Sequence, residues 1–562
     1  MAKSKGPLSL LYPFLLAAFV LNCHCNEQHR KAHVVYMGDI PMGGGSVAST
    51  HHKMLVEALG SPSLAKESLL HSYGRSFNGF VARLSDEEVA RISGIWPESE
   101  SFSDEGLGAP PAKWKGICHT ANNMTYNNKI IGARFYDADN ISGPYYDIKS
   151  PRDTWGHGSH TASTAAGRAV ENASYYGIAN GVARGGVPNA SLAVYKVCWG
   201  GGCSPADILA AFDDAIADEG DILSVSLGSI FPTPYHREPI AIGSFHAMKN
   251  GILTSCSAGN NGPFRREVSN YAPWALTVAA STIDRSFVTK VVLGNGQIFL
   301  GTSINNFHLN GTTFPLVYSG DSGNVTMGVS PEVARLCLPG TLSTLKAKGG
   351  VVLCDVLHDG SAAIFAEAVG IIMASSFDEV ALAFPVPAVV ISWDDPDGNS
   401  SKLFIYFSRY PTATILSTET TTDVMAPTVV SFSSRGPNPI TPDILKPDIT
   451  APDANILAAW SPLAFPSVWM FDDRQVDYYI ISGTSMSCPH VTGAAACNKA
   501  AHPTWSPAAI KYDMDPMKNE DAEFGYGSGH INPVKAVDPG LVFDASEADY
   551  VDFLCKVTTP PY

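Results

Sequence analysis

The sequence predicts an α/β protein whose main domain is a parallel β-sheet covered by helices on both faces. Between residues 94 and 306, short apolar segments alternate with helical segments rich in small residues, which is typical of successive βαβ units. We expect buried strands at 191–198 and 220–227, with a helix at 204–218 between them. Because this pattern breaks near residue 307 and resumes near residue 425, a second α/β unit is predicted as an insertion at 307–424.

Local signals define further elements. Asn295 and Gly296 form a strong hairpin-turn signal between two apolar segments. Within the insertion, strands are expected near 350–356, 371–374 and 388–392. The main pattern then continues to a small-residue helix that begins at Ser485.

Composition limits the classes of function. The chain has 562 residues, a formal net charge of −16 and 45% hydrophobic residues. This length is sufficient for several domains and a large core. No long run of Lys or Arg marks a phosphate-binding surface, so nucleic acid is not expected as a partner.

Residues 1–25 have the layout of a secretory signal. A short basic start precedes an apolar stretch at 8–21 and small residues near Cys23 and Cys25. A membrane anchor is the competing interpretation, but Pro7, Pro13 and the shortness of the apolar run disfavour a span. We therefore expect the signal to be removed and the mature chain to be extracellular, with no membrane contact.

Secretion makes disulfide bonds and N-glycosylation relevant. Eleven cysteines occur, and loss of Cys23 and Cys25 with the signal leaves an odd number, so at least one thiol is expected to stay unpaired. Sequons of the form Asn-x-Ser/Thr tend to lie on exposed loops of secreted chains. They occur at Asn123, Asn140, Asn172, Asn189, Asn310, Asn324 and Asn399.

The segment 33–93 has the βαβα order of a small α/β module. An apolar run at 33–37 and a helical stretch around 52–59 are followed by a second apolar segment at 76–84 and a helix at 86–92. This order predicts a separate small domain before the main one.

Three polar segments carry candidate catalytic residues. Gly-His-Gly-Ser-His-Thr surrounds His157, Ser-Ala-Gly-Asn-Asn-Gly surrounds Asn260, and Ser-Gly-Thr-Ser-Met-Ser surrounds Ser485. Hydrolysis of an amide needs a base, donors for the oxyanion and a nucleophile, and these residue types fit those roles. Ser485 is expected at a helix N-terminus, where the dipole favours negative charge. Each residue alone has a simpler interpretation, namely a core histidine, a turn asparagine and an N-cap serine.

The three segments together resemble the motifs of subtilisin-like serine proteases. Gly-His-Gly-Ser-His-Thr-Ala, Ser-Ala-Gly-Asn-Asn-Gly-Pro and Gly-Thr-Ser-Met-Ser-Cys-Pro-His-Val are similar to the histidine, oxyanion-asparagine and serine motifs of that family. The stretches 431–438 and 529–544 resemble the cucumisin-like plant branch. The likeness covers almost everything after the signal.

The resemblance implies a role for each candidate. Ser485 is expected to attack the scissile carbonyl while His157 accepts and returns its proton, and Asn260 with the Ser485 N–H is expected to hold the oxyanion. Ser226, Leu227 and Gly228 resemble the strand that pairs with substrate backbone. Protein or peptide substrates are implied, with no cofactor and no metal.

The resemblance also implies a domain organisation. The segment 33–93 resembles a truncated inhibitor-type propeptide that acts on its own peptidase domain. Segments 94–306 and 425–562 are expected to form that peptidase domain, and 307–424 resembles a protease-associated insert. The fibronectin-like C-terminal domain of the family is not expected within this chain. Plant relatives imply export to the apoplast or cell wall.

One departure from the family pattern concerns the catalytic aspartate. The family motif is Asp-Thr-Gly-Ile-Trp-Pro-Glu-Ser, whereas Gly-Ile-Trp-Pro-Glu-Ser follows Arg-Ile-Ser in this chain and begins at Gly94. Ile92 stands where the aspartate is expected, and the first strand of the catalytic sheet is expected to be absent with it. Asp153 is the nearest acid upstream of His157, but we do not expect it to substitute because it lies on the same short segment.

The leading hypothesis is therefore a secreted serine endopeptidase precursor, impaired by loss of this aspartate. The alternative is a catalytically dead homologue that binds peptides or proteases. An unrelated esterase is disfavoured because no Gly-x-Ser-x-Gly elbow occurs, and the lack of His-Glu-x-x-His excludes a zinc protease on motif grounds.

Two disulfide bonds are predicted. Cys198 and Cys203 bracket a short loop, and Cys337 and Cys354 close a loop in the insertion. Cys118 is expected to remain a thiol, because Tyr126 stands where the family places a second cysteine.

Overall fold

A computed structural model describes residues 31–36, 48, 69–73, 75–76, 79–84, 94–138, 140, 147–199, 202–229, 231–375, 379–392, 411–510, 514–515, 521–539 and 544–558. Contacts divide the chain into two compact units, Met1–Val89 and Ala90–Tyr562. The signal expected at 1–25 and the helices expected at 52–59 and 86–92 lie outside the described residues.

The strands are numbered along the chain. They are β1 Lys31–Tyr36, β2 Leu69–Tyr73, β3 Gly79–Leu84, β4 Ile130–Phe135, β5 Val170–Tyr175, β6 Ile178–Ala183, β7 Leu192–Lys196, β8 Cys198–Trp199, β9 Gly202–Cys203, β10 Ile222–Val225, β11 Leu253–Ser257, β12 Leu276–Ser281, β13 Arg285–Leu293, β14 Ile298–Gly301, β15 Phe314–Tyr318, β16 Val351–Cys354, β17 Gly370–Ser375, β18 Ala388–Ser392, β19 Thr412–Ile415, β20 Glu419–Thr422, β21 Ile449–Pro452, β22 Ile456–Ala459, β23 Tyr478–Ile481, β24 Met514–Asp515 and β25 His530–Ile531.

The α-helices are numbered in the same way. They are α1 His157–Ala166, α2 Pro205–Ala217, α3 Pro239–Lys249, α4 Pro331–Ala334, α5 Thr344–Ala347, α6 Ser361–Phe365, α7 Thr484–Ala501, α8 Pro507–Ile510, α9 Glu523–Tyr526, α10 Pro533–Ala536 and α11 Glu547–Thr558. The helices expected at 204–218 and from Ser485 are confirmed as α2 and α7.

The first unit contains an antiparallel sheet in the order β1-β3-β2. Its strands coincide with the apolar segments expected at 33–37 and 76–84, with β2 added at Leu69–Tyr73.

The second unit is built on a parallel sheet in the order β10-β11-β12-β21-β25, to which β24 adds an antiparallel edge. Helix α7 packs Val491 and Ala495 against Leu253 and Val278 on one face. Helices α2 and α3 cover the opposite face, where their apolar residues form a cluster with Cys256. Because helices cover both faces, β11 and β12 are buried along their full length.

A separate parallel pair, β4 and β7, lies beyond the β10 edge of this sheet. The two strands pair from Gly132↔Ala193 to Phe135↔Lys196. Among the described residues, neither strand pairs with β10, although β7, α2 and β10 form one βαβ unit. The strands expected at 191–198 and 220–227 are confirmed as β7 and β10, but the expectation that they are buried is wrong, because only one β7 residue and no β10 residue is buried. The two strands also do not belong to one continuous hydrogen-bonded sheet among the described residues.

A second sheet has the order β14-β13-β19-β15-β16-β17-β18, with β20 also paired to β13. The strands expected near 350–356, 371–374 and 388–392 are confirmed as β16, β17 and β18. The hairpin expected at Asn295-Gly296 is confirmed by the antiparallel β13–β14 pairing, which ends at Val292↔Ile298. This sheet therefore also contains two strands that precede residue 307.

The cysteine chemistry matches the expected pairings. Disulfide bonds join Cys198 to Cys203 and Cys337 to Cys354, and Cys118 is in no disulfide. Within the described parts of the chain, no helix has the length and apolar character needed to cross a bilayer.

A buried lysine and its ion pair fix the centre of the parallel sheet. Lys446 is fully buried, and its Nζ donates to the carbonyl oxygen of Ala275 at 2.9 Å and to Thr277 Oγ1 at 2.8 Å. It also pairs with Asp448 Oδ2 at 2.5 Å. The lysine therefore connects the start of β12 to the segment that leads into β21.

Replacement of this lysine by methionine, Lys446→Met, should lower the free energy of unfolding by about 2–3 kcal/mol, because the half-buried Asp448 carboxylate loses its counter-charge and two further acceptors lose their donor. Urea denaturation would measure the loss. Lys290→Met is the matched control, since Lys290 pairs with Glu419 at the surface and should contribute at most about 1 kcal/mol. Equal losses in the two variants would show that the Lys446 pair does not stabilise the sheet.

Candidate active site

His157 is the first residue of α1, and a glycine lies on each side of it. Gly156 precedes the helix with φ 86°, a left-handed conformation, and a Cβ there would overlap the Trp460 indole. A Cβ on Gly158 would overlap the carbonyl oxygen of Gly94. The two glycines therefore allow the start of α1 to sit against the first described residues of the second unit.

Asp153 is buried just before α1 and caps that helix. Its Oδ1 accepts hydrogen bonds from the N–H groups of Trp155 and Gly156, and its Oδ2 accepts from the N–H and hydroxyl of Ser159. Four donors thus occupy this carboxylate. Among the described residues, no carboxylate is hydrogen-bonded to the His157 ring, so Asp153 does not orient it.

The protonated form of His157 is disfavoured. Removal of the ring from water lowers the pKa of His157 to about 4, and the charge of Asp153 only partly opposes this effect. The imidazole is consequently neutral at physiological pH, as a general base must be. The imidazolium that forms during proton transfer has no hydrogen-bonded counter-ion among the residues that the structure describes.

Ser485 is the second residue of α7, where the helix dipole and unpaired N–H groups favour negative charge. Its Oγ donates a long hydrogen bond of 3.4 Å to the carbonyl oxygen of Ser226, and Ser226 Oγ donates to the Ser485 carbonyl oxygen at 2.8 Å. The start of α7 is therefore connected to the residue that follows β10. No hydrogen bond joins Ser485 to His157 in the described structure.

Asn260 lies directly beside the start of α7. Its side-chain oxygen accepts hydrogen bonds of 2.8 Å from both the N–H and the hydroxyl of Thr484. A Cβ built on Gly483 would lie 3.4 Å from Asn260 Nδ2. Because Thr484 holds the oxygen, the exposed Asn260 side chain presents Nδ2 as a donor next to Ser485.

The other predicted substrate-contacting residues lie at the carboxyl end of β10. The Leu227 carbonyl oxygen accepts from Asn270 Nδ2 at 2.5 Å, and Gly228 is exposed. Ser226, Leu227 and His157 all line one cavity of about 750 Å³. The structure thus places these residues and the Ser485–Asn260 pair at the same end of the sheet.

Sequence reasoning missed two residues at this site. Thr484 positions Asn260, and its only signal was membership of the serine motif. Asp453 is fully buried after β21, and its two oxygens accept from the Gly483 N–H at 3.2 Å. The available signal for Asp453 was that it is the one charged residue in the segment 449–459.

Burial raises the pKa of Asp453 to about 8, although the N–H groups of Gly483, Ser487 and Met486 favour the ionised form. Between the unfolded pKa near 4 and the folded pKa, the folded state binds the extra proton. The stabilisation that comes from keeping Asp453 protonated in the folded state is therefore complete at low pH and is lost as the pH rises towards 8.

Asp453→Asn cannot ionise, so its stability relative to the parent chain should increase by up to about 1.4 kcal/mol per pH unit between pH 4 and pH 8. Chemical denaturation at several pH values would measure this difference. Asp321→Asn, at an exposed carboxylate, is the matched control. A pH-independent difference for Asp453→Asn would mean that Asp453 is ionised in the folded chain.

Comparison with known proteins identifies the family. Residues 93–527 match the model of the subtilase family, and residues 32–94 match that of the peptidase inhibitor I9 family. Subtilisin-like protease SBT4.6 of Arabidopsis thaliana is 43% identical over 610 aligned residues, which cover 98% of this chain and 81% of that protein. Subtilisin-like protease SBT4.3 of Arabidopsis thaliana is 43% identical over 613 residues, covering 99% and 82%. The chain therefore belongs to the subtilase family of serine-type endopeptidases.

Proposed function

We propose that this chain cleaves peptide bonds through Ser485, with His157 as general base and Asn260 as an oxyanion donor. The observation that supports this proposal most strongly is the pairing of Thr484 with Asn260. That contact fixes a side-chain amide donor beside a serine at a helix N-terminus, which is the arrangement that stabilises a developing oxyanion.

In the proposed reaction, Ser485 Oγ forms a bond to the scissile carbonyl carbon and its proton passes to His157. The oxyanion accepts hydrogen bonds from Asn260 Nδ2 and the Ser485 N–H. His157 then returns the proton to the leaving amine as the C–N bond breaks, leaving an acyl-enzyme that water hydrolyses by the same route.

Substrate backbone is proposed to pair with Ser226, Leu227 and Gly228 by strand addition. The exposure of Gly228 and the position of the three residues beside Ser485 support this role. The Ser226 carbonyl oxygen accepts the Ser485 hydroxyl in this structure, so that hydroxyl must rotate towards His157 before attack.

We further propose that catalysis is impaired, because no carboxylate among the described residues orients His157. The capping bonds of Asp153 and the pKa of about 4 for His157 support this proposal. In subtilisin, loss of the triad aspartate lowers turnover about 10⁴-fold, since the histidine loses its oriented tautomer and its counter-charge.

The precursor organisation is part of the same proposal. The match of residues 32–94 to the peptidase inhibitor I9 family supports an inhibitory propeptide that acts on the active site of the same chain.

Secretion is proposed from the apolar leader at residues 8–21. It is supported by the sequons, because most sequon asparagines within the described residues are exposed. Those exposed asparagines are Asn123, Asn140, Asn172, Asn189 and Asn310. The assignment of 307–424 as a protease-associated insert remains a prediction.

The proposed impairment predicts that this chain hydrolyses a peptide substrate at least ~10³-fold more slowly than a form with an aspartate-ended strand inserted before Gly94. Both purified, folded forms would be assayed on one substrate and labelled with a serine-directed covalent inhibitor. Ser485→Ala should abolish most activity of the inserted form and lower the slow rate of the present chain by a further ~10-fold or more, because loss of the serine costs more than loss of the aspartate alone.

Comparable turnover in both forms, with strong labelling of Ser485 in the present chain, would contradict the proposed impairment. Another carboxylate would then have to serve His157. Activity in the inserted form that survives Ser485→Ala would contradict the assignment of the nucleophile itself.

A further inference from the structure

The cavity of about 750 Å³ lies between two strand edges that have no partner strand on that side among the described residues. Strand β7 pairs only with β4, and β10 pairs only with β11, within the described residues. Both strands line the cavity along their length. Each edge therefore presents backbone N–H and C=O groups that a further strand would satisfy.

Helices close the two faces of this cavity. Helices α1 and α7 contribute Ala162, Ala165 and Ala496, and α2 contributes Ala211 and Phe212. The lining is mostly aliphatic or aromatic, and charged side chains such as Asp221 and Lys499 lie near the amino ends of the strands. A space between two strand edges and two layers of helices has the shape of one strand of a parallel sheet.

The two strands that flank the cavity, β7 and β10, are only partly buried, so apolar surface on them remains uncovered. All residues of β11 and β12 are buried, whereas β7 has one buried residue of five and β10 has none. Leu223, Val225 and Val194 are among the half-buried side chains. An uncovered apolar surface of this kind marks a site of interaction.

The direction of an occupying strand follows from the ends of the cavity. Lys196, the last residue of β7, donates to the Arg152 carbonyl oxygen at 2.9 Å, and Ser226 follows β10 beside Ser485. His157 and Gly94 line the same end. A strand parallel to β7 and β10 would thus end next to His157.

We infer that this cavity, here called the strand slot, binds one extended apolar peptide segment as a parallel strand between β7 and β10. An aspartate at the carboxyl end of that segment would lie beside the His157 ring and supply the carboxylate that Asp153 does not provide. Binding follows from the slot alone, whereas the gain in activity rests on the proposed function.

The test uses the full chain and synthetic seven-residue peptides, which are two residues longer than β7. The probe is fluorescently labelled Lys-Val-Ile-Ala-Val-Leu-Asp. Its companions end in Asn, or carry Pro in place of the central Ala. Fluorescence anisotropy measures binding, and hydrolysis of a separate peptide substrate measures activity.

The Asp and Asn peptides should bind alike, and the Pro peptide at least ~10-fold more weakly, because proline lacks the N–H that a central strand needs. Ala496→Trp, which fills the slot from α7, should weaken binding similarly. Ala548→Trp, at an exposed site on α11, should not. Circular dichroism would show that each variant is folded.

The Asp peptide alone should raise turnover, by ~10²-fold or more. If the Asp and Asn peptides both bind and neither raises turnover, the result would support the strand slot and contradict the proposed need for a carboxylate at His157. Equal binding of the Pro peptide, or no effect of Ala496→Trp, would overturn the strand slot. A dimer of the untreated chain that Ala496→Trp dissociates would assign the slot to a second copy and also overturn the proposal.

Discussion

The close approach of α1 and α7 is the constraint on which the rest of the second unit depends. A Cβ on Gly493 of α7 would lie 3.3 Å from the carbonyl oxygen of Ala165 in α1, and 3.0 Å from the Cα of Gly186. Strand pairing among the described residues does not connect β7 to β10. This backbone contact is therefore one of the links between the two parts of the unit, together with the buried Arg134–Asp218 ion pair that joins β4 to the end of α2. Because both helices begin at the same end of the sheet, it also places His157 and Ser485 at that end.

Contacts from α1 to the neighbouring strands reinforce this arrangement. The Ala459 N–H donates to Ser163 Oγ at 3.0 Å, and His160 Nε2 lies 2.9 Å from the Ile456 carbonyl oxygen. Burial lowers the pKa of His160 to about 3, so this ring is a neutral structural group. The two histidines of one motif therefore differ in role, since His157 lines the cavity and His160 anchors the helix.

The oxyanion side of the site is more completely formed than the base side. Thr484 and Gly259 fix the geometry around Asn260, and the Gly259 N–H donates to Thr484 Oγ1 at 3.1 Å. On the other side, Asp153 is fully used in capping α1, and His157 has no hydrogen-bonded carboxylate among the described residues. Under the proposed function, stabilisation of the oxyanion would therefore be retained, while orientation of the base would not.

Local patterns predicted much of the fold and the candidate residues. Glycines, helix caps and turn residues that are close in sequence predict several elements. These elements are the start of α7, helix α2 with the strands β7 and β10 on either side of it, and the β13–β14 hairpin. The role of Asp453 could not be predicted in this way, because its burial depends on α7, about 30 residues further along. The unpaired edges of β7 and β10 were equally hidden, since periodicity identifies a strand but not its neighbours.

Amide hydrogen exchange at β7 and β10 tests the central claim, that the parallel sheet is interrupted between these strands. Amides that point into the strand slot should exchange orders of magnitude faster than those of β11 and β12, because they have no partner strand among the described residues and adjoin a cavity. We expect about half of the amides in each edge strand to be unprotected, since alternate residues point to the paired and the unpaired side. Full protection of β7 and β10, equal to that of β11, would show that the sheet is continuous and would contradict this claim.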